Sequence, residues 1–227
     1  QIVEAIRRHE PAATATQAQQ RALALFERVR IPSPERRLQS YPHEMSGGMR
    51  QRAMIALALA CHPQLLLADE PTTALDATVQ IQILLLLREL QRDLGLSVIF
   101  VTHDIGAAVE VADRIAVMYA GRIVEEGAAR DLIRNPRHPY TRALLQSRAH
   151  GAMARGMPLQ TIGGAPPDLS ALPPGCAFAE RCALAAEACR LQQPPLVAIA
   201  PGHQARCLRT DAVDSAAPAP APALFTH

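Results

Sequence analysis

Apolar residues in the N-terminal part of the chain recur at the three- and four-residue spacing of amphipathic helices. This pattern predicts helices over Ile2–Arg8 and Arg21–Arg30, with Pro-rich connections between them. A third helix is predicted over Met45–Cys61, where Ser46 is placed to cap the N-terminus and Ala, Leu and Ile recur behind it. The first part of the protein is therefore expected to be helical.

The middle of the chain alternates short apolar runs with longer amphipathic segments. The runs Gln64–Ala68 and Ser97–Val101 are typical of buried parallel strands, and Ala77–Asp93, which ends near Gly95, predicts a helix between them. One more helix and two strands that pair about a Gly-containing turn follow at Ile105–Ala112, Arg114–Tyr119 and Arg122–Glu126. Strands that alternate with helices predict an α/β layered core.

The composition changes after a predicted helix at Tyr140–Gln146. A stretch rich in Gly and Pro comes first, then a stretch with four of the five cysteines, then an Ala-Pro repeat that is typical of a disordered tail. The predicted segments are a helical subdomain, an α/β core, a linker, a four-cysteine segment and a tail: 1–62, 63–147, 148–175, 176–209 and 210–227.

Composition narrows the classes of function. The net charge of +2 is too small to predict binding to nucleic acid. No window reaches the roughly 18 consecutive apolar residues of a membrane-spanning helix, and the N-terminus shows no secretory signal. We therefore expect a cytoplasmic protein that meets the membrane only through partners. Five cysteines in such a chain are expected to be thiols or metal ligands rather than disulfides.

The helix start at Ser46–Met49 has the features of an anion site. Free backbone N–H groups and the positive end of the helix dipole favour a phosphate, and Gly47 and Gly48 let it come close. The first turn carries Arg50 and Arg52 and no acid, which a purely structural helix start would not favour. The alternative is an ordinary helix capped by serine.

Two adjacent carboxylates, Asp69 and Glu70, follow the first predicted strand. The carboxyl end of a strand is where open α/β sheets bind ligands. One acid there can hold Mg²⁺ and the next can orient or deprotonate an attacking water. His103 follows the second strand and meets the same edge if the strands are parallel neighbours. The alternatives are surface acids at a strand end and a structural histidine.

In order and spacing, these motifs resemble the nucleotide-binding subunits of ABC transporters. Met45–Met49 resembles the signature motif, with Met49 where glutamine is usual, and Leu65–Asp69 resembles the Walker B strand. Glu70 corresponds to the catalytic glutamate and His103 to the switch histidine. The D-loop corresponds to Ala74-Leu75-Asp76. The resemblance implies binding of ATP and Mg²⁺, with Ser46, Gly47, Gly48, Met49 and Asp76 contacting nucleotide and Asp69 holding the metal.

Three segments resemble one subgroup, the ATPases of oligopeptide and dipeptide importers: Ser46–Arg52, His138–Leu145 and Gly175–Cys182. Nickel importers share these features, so the solute stays open. The implied fold is an α/β partial P-loop NTPase (RecA-like) core, with a helical signature subdomain and a small Cys-containing C-terminal extension.

A P-loop has the pattern Gly-x-x-x-x-Gly-Lys-Ser/Thr, whose lysine reaches the β and γ phosphates. The sequence contains no lysine and therefore no P-loop. In the family this loop precedes sequence like Gln1–Arg8, and the resemblance implies that roughly a hundred family residues lie before it. We expect a truncated chain that does not turn over ATP alone. Ser46–Met49 could still complete a site whose P-loop belongs to a partner.

The spacing of Cys176, Cys182, Cys189 and Cys207 is a weak metal signal by itself, because it lacks the close pairs of zinc ribbons. Some peptide-importer ATPases carry four terminal cysteines that hold an iron–sulfur cluster, so the resemblance implies a [4Fe–4S] site. Zinc and free thiols are the alternatives. Cys61 is expected to be a small core residue.

The resemblance implies an ATPase subunit that couples hydrolysis to uptake of oligopeptides or dipeptides. Its partners would be membrane permease subunits, a second ABC ATPase subunit and, indirectly, a solute-binding protein, at the cytoplasmic face of the bacterial inner membrane. The alternative is a non-catalytic or regulatory partner that completes another subunit's ATP site. An ABC ATPase of DNA repair or translation is disfavoured, because no coiled-coil arm or second cassette is present.

Overall fold

The computed structural model describes residues 1–148 and 161–215, and the chain divides into two compact units, residues 1–111 and 112–227. The first unit packs helices against a pair of parallel strands. The second is built on an antiparallel sheet. The α/β class expected from the sequence is confirmed. Parts of the predicted linker and tail lie outside the described residues.

Six helices and two strands make up residues 1–111. The helices are α1 to α6, in order Ile2–His9, Ala15–Arg28, Pro34–Arg37, Gly47–Leu59, Ala77–Leu94 and Ile105–Val111. The start of α2 was predicted too late. Thr14 caps it, accepting a hydrogen bond from the Gln17 backbone N–H at 3.2 Å while the Gln17 side chain accepts from the Thr14 N–H at 2.9 Å. This capping box is readable from the sequence.

The strands β1, Leu65–Asp69, and β2, Ser97–Val101, pair in parallel, with Leu65 opposite Ser97 and Asp69 opposite Val101. Helix α5 connects them. Asp76 caps its start, and it ends at Gly95, whose φ of 63° is the left-handed conformation that glycine adopts most easily. The carboxyl ends of both strands therefore lie at one edge of the sheet.

Only one face of this strand pair is covered in the described part of the chain. Leu66 and Ala68 are buried, and Val98 and Phe100 pack beside them against the helices. The opposite face exposes four apolar side chains: Leu65, Leu67, Ile99 and Val101. The expectation of fully buried strands is therefore wrong for that face, because the sheet has helices on one side only.

The core of the first unit lies between this covered face and helices α1, α2, α4 and α5. Ile6, Ile83 and Leu86 are fully buried there, and Phe26 nearly so. Burial of each such side chain contributes roughly 1.5–3 kcal/mol. The helices are thereby fixed relative to the strand edge that carries Asp69 and Glu70.

Four strands form the sheet of the second unit, in the order β3-β4-β6-β5 and antiparallel throughout. They are Arg114–Tyr119, Arg122–Ala128, Val197–Ala200 and His203–Ala205, numbered β3 to β6 along the chain. The hairpin β3–β4 was predicted. Strand β3 begins this new sheet and does not extend the parallel pair. Strands β5 and β6 come from the four-cysteine segment.

The helices of the second unit are short. Helices α7 to α10 cover Ala129–Arg134, Pro139–Arg148, Glu187–Leu191 and Thr210–Ser215. Helix α8 agrees with the prediction of a helix in this region, with an earlier start and a later end. Helix α10 forms at the beginning of the predicted tail. Cys176 and Cys182 lie before α9, Cys189 lies within α9, and Cys207 follows β6.

Candidate functional site

The first candidate site lies at the carboxyl edge of β1 and β2. Glu70 Oε1 accepts hydrogen bonds from His103 Nδ1 at 2.7 Å and from the His103 backbone N–H at 3.1 Å. Glu70 Oε2 accepts from the hydroxyl of Thr73 at 2.7 Å. The structure thus brings together the two residues predicted to be catalytic, and adds a third that the sequence reasoning missed.

Electrostatics at this edge follow from these contacts. Hydrogen bonds from His103 and then from Thr73 hold the pKa of the Glu70 carboxyl below its ordinary value. The same Glu70 contact raises the pKa of His103. Both side chains face solvent, so water weakens their attraction. The pair is a carboxylate and an imidazole poised for proton transfer at an open edge.

The backbone places Glu70 in an unusual conformation. Its φ is 47°, in the left-handed region that non-glycine residues seldom adopt. The Glu70 N–H donates to the Val101 carbonyl at 2.9 Å, and the Glu70 carbonyl accepts from the Thr73 N–H at 3.2 Å. The chain thus turns sharply as it leaves β1 and aims the carboxylate across to β2. Strain of this kind clusters at functional sites.

Asp69 is the exposed last residue of β1, beside Glu70. Its carboxylate makes no hydrogen bond or ion pair to another of the residues that the structure describes, so it is available to a ligand. Mg²⁺ in nucleotide sites needs only one or two protein carboxylates in addition to water and phosphate oxygens. The chemistry of Asp69 therefore suits the predicted metal role.

The second candidate site is the N-terminus of α4. Ser46 Oγ accepts from the Met49 backbone N–H at 3.3 Å, which confirms the predicted cap. The N–H groups of Gly47 and Gly48 have no partner within residues 1–148 and 161–215, and they point out of the helix end. A Cβ on Gly48 would lie 2.7 Å from Val79 Cγ1, so this position has no room for a side chain.

Other residues predicted at this end of α4 have different surroundings. Met49 packs its side chain against the core, which leaves its backbone N–H as the group near the site. Arg52 donates to the Val29 carbonyl at 2.8 Å and to Gln82 at 3.3 Å. Arg52 therefore connects α4 to other helices. Asp76 uses Oδ1 to cap α5, accepting from the Val79 N–H at 3.0 Å.

The four predicted cysteine ligands belong to the second unit and carry free thiols. Burial raises the pKa of Cys176 and Cys182, and raises that of Cys207 to about 11; the other thiols add to these shifts, so the four lie near one another. The Arg209 N–H donates to Cys207 Sγ at 3.2 Å.

The four cysteines do not have the geometry of a metal site. No group of three or more His, Cys, Asp or Glu side chains within the described ranges is arranged to hold a metal ion. The chemistry of four thiols suits iron–sulfur or zinc, but their arrangement does not fit either. The iron–sulfur role stays a prediction.

Close backbone contacts fix the loops that carry the cysteines. The Cys176 N–H donates to the Cys189 carbonyl at 2.7 Å. A Cβ on Gly175 would lie 2.3 Å from that carbonyl oxygen and 2.4 Å from the carbonyl oxygen of Arg190. Glycine is therefore required immediately before the first cysteine of the cluster.

A buried polar network, which the sequence reasoning missed, supports the second unit. Glu125 is fully buried and accepts from the backbone N–H of Arg137 at 2.6 Å, from the N–H of His138 at 2.9 Å and from His203 Nε2 at 2.8 Å. Burial lowers the pKa of His138 to about 4, so this histidine is neutral, and its Nδ1 accepts from the Tyr140 N–H at 3.0 Å. No local signal could have found Glu125, because it is one of two adjacent acids in a strand that also contains Arg122.

Two family models match the chain. One is described as ABC transporter and matches residues 2–73, and the other as oligopeptide/dipeptide transporter, C-terminal region, and matches residues 124–189. The chain is therefore similar to ABC transporter proteins over both of these segments.

Curated relatives carry peptide-transport names. The "Probable peptide ABC transporter ATP-binding protein y4tR" of Sinorhizobium fredii is 52% identical over 94% of this chain and 63% of its own length. The dipeptide transport ATP-binding protein DppD of Haemophilus influenzae is 50% identical over 86% of this chain and 59% of its own length. The oligopeptide transport ATP-binding protein OppD of Mycobacterium tuberculosis is 48% identical over 94% of this chain and 35% of its own length.

The chain thus spans less than two thirds of the length of these relatives. Among solved structures, the dimeric structure of MJ0796, a bacterial ABC transporter cassette, matches with 34% identity over 52% of this chain and 49% of that chain, with a TM-score of 0.46. In the described ranges, no helix is both long and apolar enough to cross a membrane.

Proposed function

We propose that this chain is the signature-bearing part of an ATPase subunit that couples ATP hydrolysis to the uptake of oligopeptides or dipeptides. The observation that carries this proposal is the hydrogen-bonded pair Glu70–His103, at 2.7 Å, on the carboxyl edge of a parallel strand pair. The names of the relatives support the solute class.

The residues of the β1–β2 edge have separate proposed roles. Asp69 would hold Mg²⁺, directly or through water, and the bound Mg²⁺–ATP would supply the phosphoryl group that is attacked. Glu70 orients or deprotonates the attacking water, since its carboxylate is ionised and reaches beyond the sheet. His103 anchors one oxygen of this carboxylate, Oε1, and is a donor close to a negative charge that develops there.

The α4 N-terminus has a different proposed role. Ser46, Gly47 and Gly48, with the Met49 backbone and the Asp76 loop, would bind the phosphates of an ATP whose P-loop belongs to a second ABC ATPase subunit. The two units of such a pair would sit on membrane permease subunits at the cytoplasmic face, with a solute-binding protein outside.

A second candidate function uses the α4 N-terminus but not the residues Asp69, Glu70 and His103 of the β1–β2 edge, here called the catalytic edge. The chain would then be a non-catalytic partner that completes another subunit's ATP site. The observation that favours it is the completeness of the α4 N-terminus, with its cap and free N–H groups, in a sequence that has no phosphate-binding lysine.

The test is purification of the tagged protein from its source cells in mild detergent, with mass spectrometry of the co-purified proteins and assay of ATP turnover. We expect permease subunits in the complex and turnover that peptide stimulates. Glu70→Gln should lower turnover roughly 10²–10⁴-fold if the catalytic edge works.

Ser46→Arg separates the two candidate functions, because it blocks the α4 site alone. Loss of turnover with Ser46→Arg but not with Glu70→Gln would favour the non-catalytic partner. A complex whose turnover resists both changes would contradict both functions.

A further inference from the structure

Thr73 lies between Glu70 and the D-loop motif Ala74-Leu75-Asp76, and its side chain contacts Glu70. Its hydroxyl donates to Glu70 Oε2 at 2.7 Å, while both contacts from His103 fall on Oε1. The two oxygens of one carboxylate are therefore held from opposite sides.

One-sided contacts would leave this carboxylate mobile. Glu70 lies at an open edge, and its terminal torsion has a broad, roughly two-fold energy profile. With partners on Oε1 alone, Oε2 would swing about that anchor. The Thr73 hydroxyl removes this freedom and fixes the plane in which the lone pairs of Glu70 point.

The backbone makes Thr73 a rigid partner. Its N–H donates to the Glu70 carbonyl at 3.2 Å, so the turn from Glu70 to Thr73 is closed by a backbone and a side-chain hydrogen bond together. The next residue, Ala74, has a φ of 62°, which holds the turn in a conformation that few other sequences would adopt.

The same loop contacts the start of α4. Leu75 follows this turn, and its Cδ2 lies 3.2 Å from the position that a Cβ on Gly47 would take. The Leu75 N–H donates to the Thr72 carbonyl at 3.3 Å. A loop of three residues thus connects the helix end proposed to bind phosphate with the hydroxyl that holds Glu70.

We propose that Thr73 is a positioning residue for Glu70, whose hydroxyl fixes the carboxylate plane and links it through Leu75 to the start of α4. This inference rests on the proposed function of Glu70. Thr72 does not share the role: its side chain is buried and its carbonyl accepts from Gln80 at 3.2 Å, which is a structural contact.

The ring of His103 gives a readout that needs no nucleotide. In the neutral ring, donation from Nδ1 to Glu70 requires the Nδ1–H tautomer, which ¹⁵N NMR distinguishes from the Nε2–H form at a pH where titration of His103 is complete. The experiment uses the full 227-residue chain and four forms of it: unchanged, Thr73→Val, Thr73→Ser and Glu70→Ala.

We expect the unchanged protein and Thr73→Ser to hold His103 mainly as the Nδ1–H tautomer. Thr73→Val, which keeps the shape and removes the hydroxyl, should lower the ratio of Nδ1–H to Nε2–H roughly twofold or more, towards the value in Glu70→Ala. Thr73 is exposed, so Thr73→Val should still fold.

An unchanged ratio in Thr73→Val would overturn the positioning role, as would failure of Thr73→Ser to match the unchanged protein. Because ATP is absent from this measurement, its failure is distinct from failure of the proposed function, which the turnover of the purified complex tests.

Discussion

Each unit of the protein contains a glutamate hydrogen-bonded to a histidine, at nearly the same distance and in opposite surroundings. In the first unit Glu70 and His103 are 2.7 Å apart, with side chains 36% and 80% exposed. In the second, Glu125 and His203 are 2.8 Å apart, with side chains 0% and 6% exposed. The two pairs have the same chemistry, and their exposure to solvent determines what each pair can do.

An exposed pair can exchange protons and reach a ligand but adds little to stability. A buried pair has the reverse character, because removal of one partner leaves the other charged or polar group without water. The left-handed backbone of Glu70 fits the first description, and the three donors to Glu125 fit the second. Burial therefore separates a candidate catalytic pair from a structural one where distance does not.

The largest expected effect comes from breaking the buried pair. Glu125→Ala leaves two backbone N–H groups and His203 without their acceptor, and should lower the free energy of unfolding by about 3–5 kcal/mol. Urea unfolding can be followed by tyrosine emission in a Tyr41→Phe background, in which the remaining two tyrosines, Tyr119 and Tyr140, both report on the second unit.

Two controls bracket that measurement. Glu126→Gln, one residue along the same strand, should leave the unfolding midpoint of the second unit almost unchanged, and so should Glu70→Ala, which lies in the first unit. If Glu125→Ala has the same free energy of unfolding as the unchanged protein, the buried pair does not differ from the exposed pair in its contribution to stability.

The next effect is a pH dependence that belongs to the buried network. The pKa of His138 is about 4 in the folded protein, against an ordinary value of about 6.5 in the unfolded chain. Between these values the unfolded chain binds a proton that the folded chain does not, so the stability of the second unit falls as the pH falls.

The loss should reach roughly 3 kcal/mol by pH 4 and level off below it. Urea midpoints measured from pH 7.5 to 4.5 check this. His138→Gln should flatten the slope, whereas His9→Gln, at an exposed position, should keep it. An equal slope in both variants would show that His138 does not carry the effect.

A smaller effect tests the packing of the start of α4 against α5. Gly48→Ala places a methyl group 2.7 Å from Val79 Cγ1 and should cost about 1–3 kcal/mol. In a Val79→Ala background the same change should become neutral or stabilising, because alanine favours helix and the clash is gone. Thermal unfolding of the four proteins measures the difference, and additive effects would contradict the contact.

The smallest effect concerns the exposed pair itself. Glu70→Ala should return the raised pKa of His103 towards its ordinary value, since Glu70 is the cause of the shift. Titration of the histidine ring protons by NMR would follow it, with Glu125→Ala expected to leave His103 unaffected. A His103 pKa that does not move would mean that the pair is not formed in solution.

The sequence was most informative where one residue has one local task. Ser46 before two glycines and Gly95 after a helix predict a cap and a stop, and both are found. Asp69, Glu70 and His103 follow two apolar runs, which is enough to place them at one edge of a parallel sheet. Such signals are contained within a few neighbouring residues.

Contacts between residues far apart in the chain could not be predicted from such local signals. Glu125 accepts hydrogen bonds from Arg137 and His203, which are far from it along the chain. No neighbouring residue in the sequence distinguishes it from a solvent-facing acid in a hairpin. The antiparallel sheet depends on pairing Glu125 with Ala205, eighty residues away along the chain. The contacts of Arg52 with Val29 and Gln82 are of the same kind, because they join α4 to the C-terminal end of α2 and to α5.

The close approach at Gly175 has a consequence for how this protein can vary. A side chain of any kind at that position would enter the peptide groups of Cys189 and Arg190, and neither is a flexible end that could move aside. In a library of single substitutions selected for folded protein, position 175 should therefore accept no replacement. Exposed neighbours such as Glu180 should accept many, so tolerance would drop to zero at a residue that carries no functional group at all.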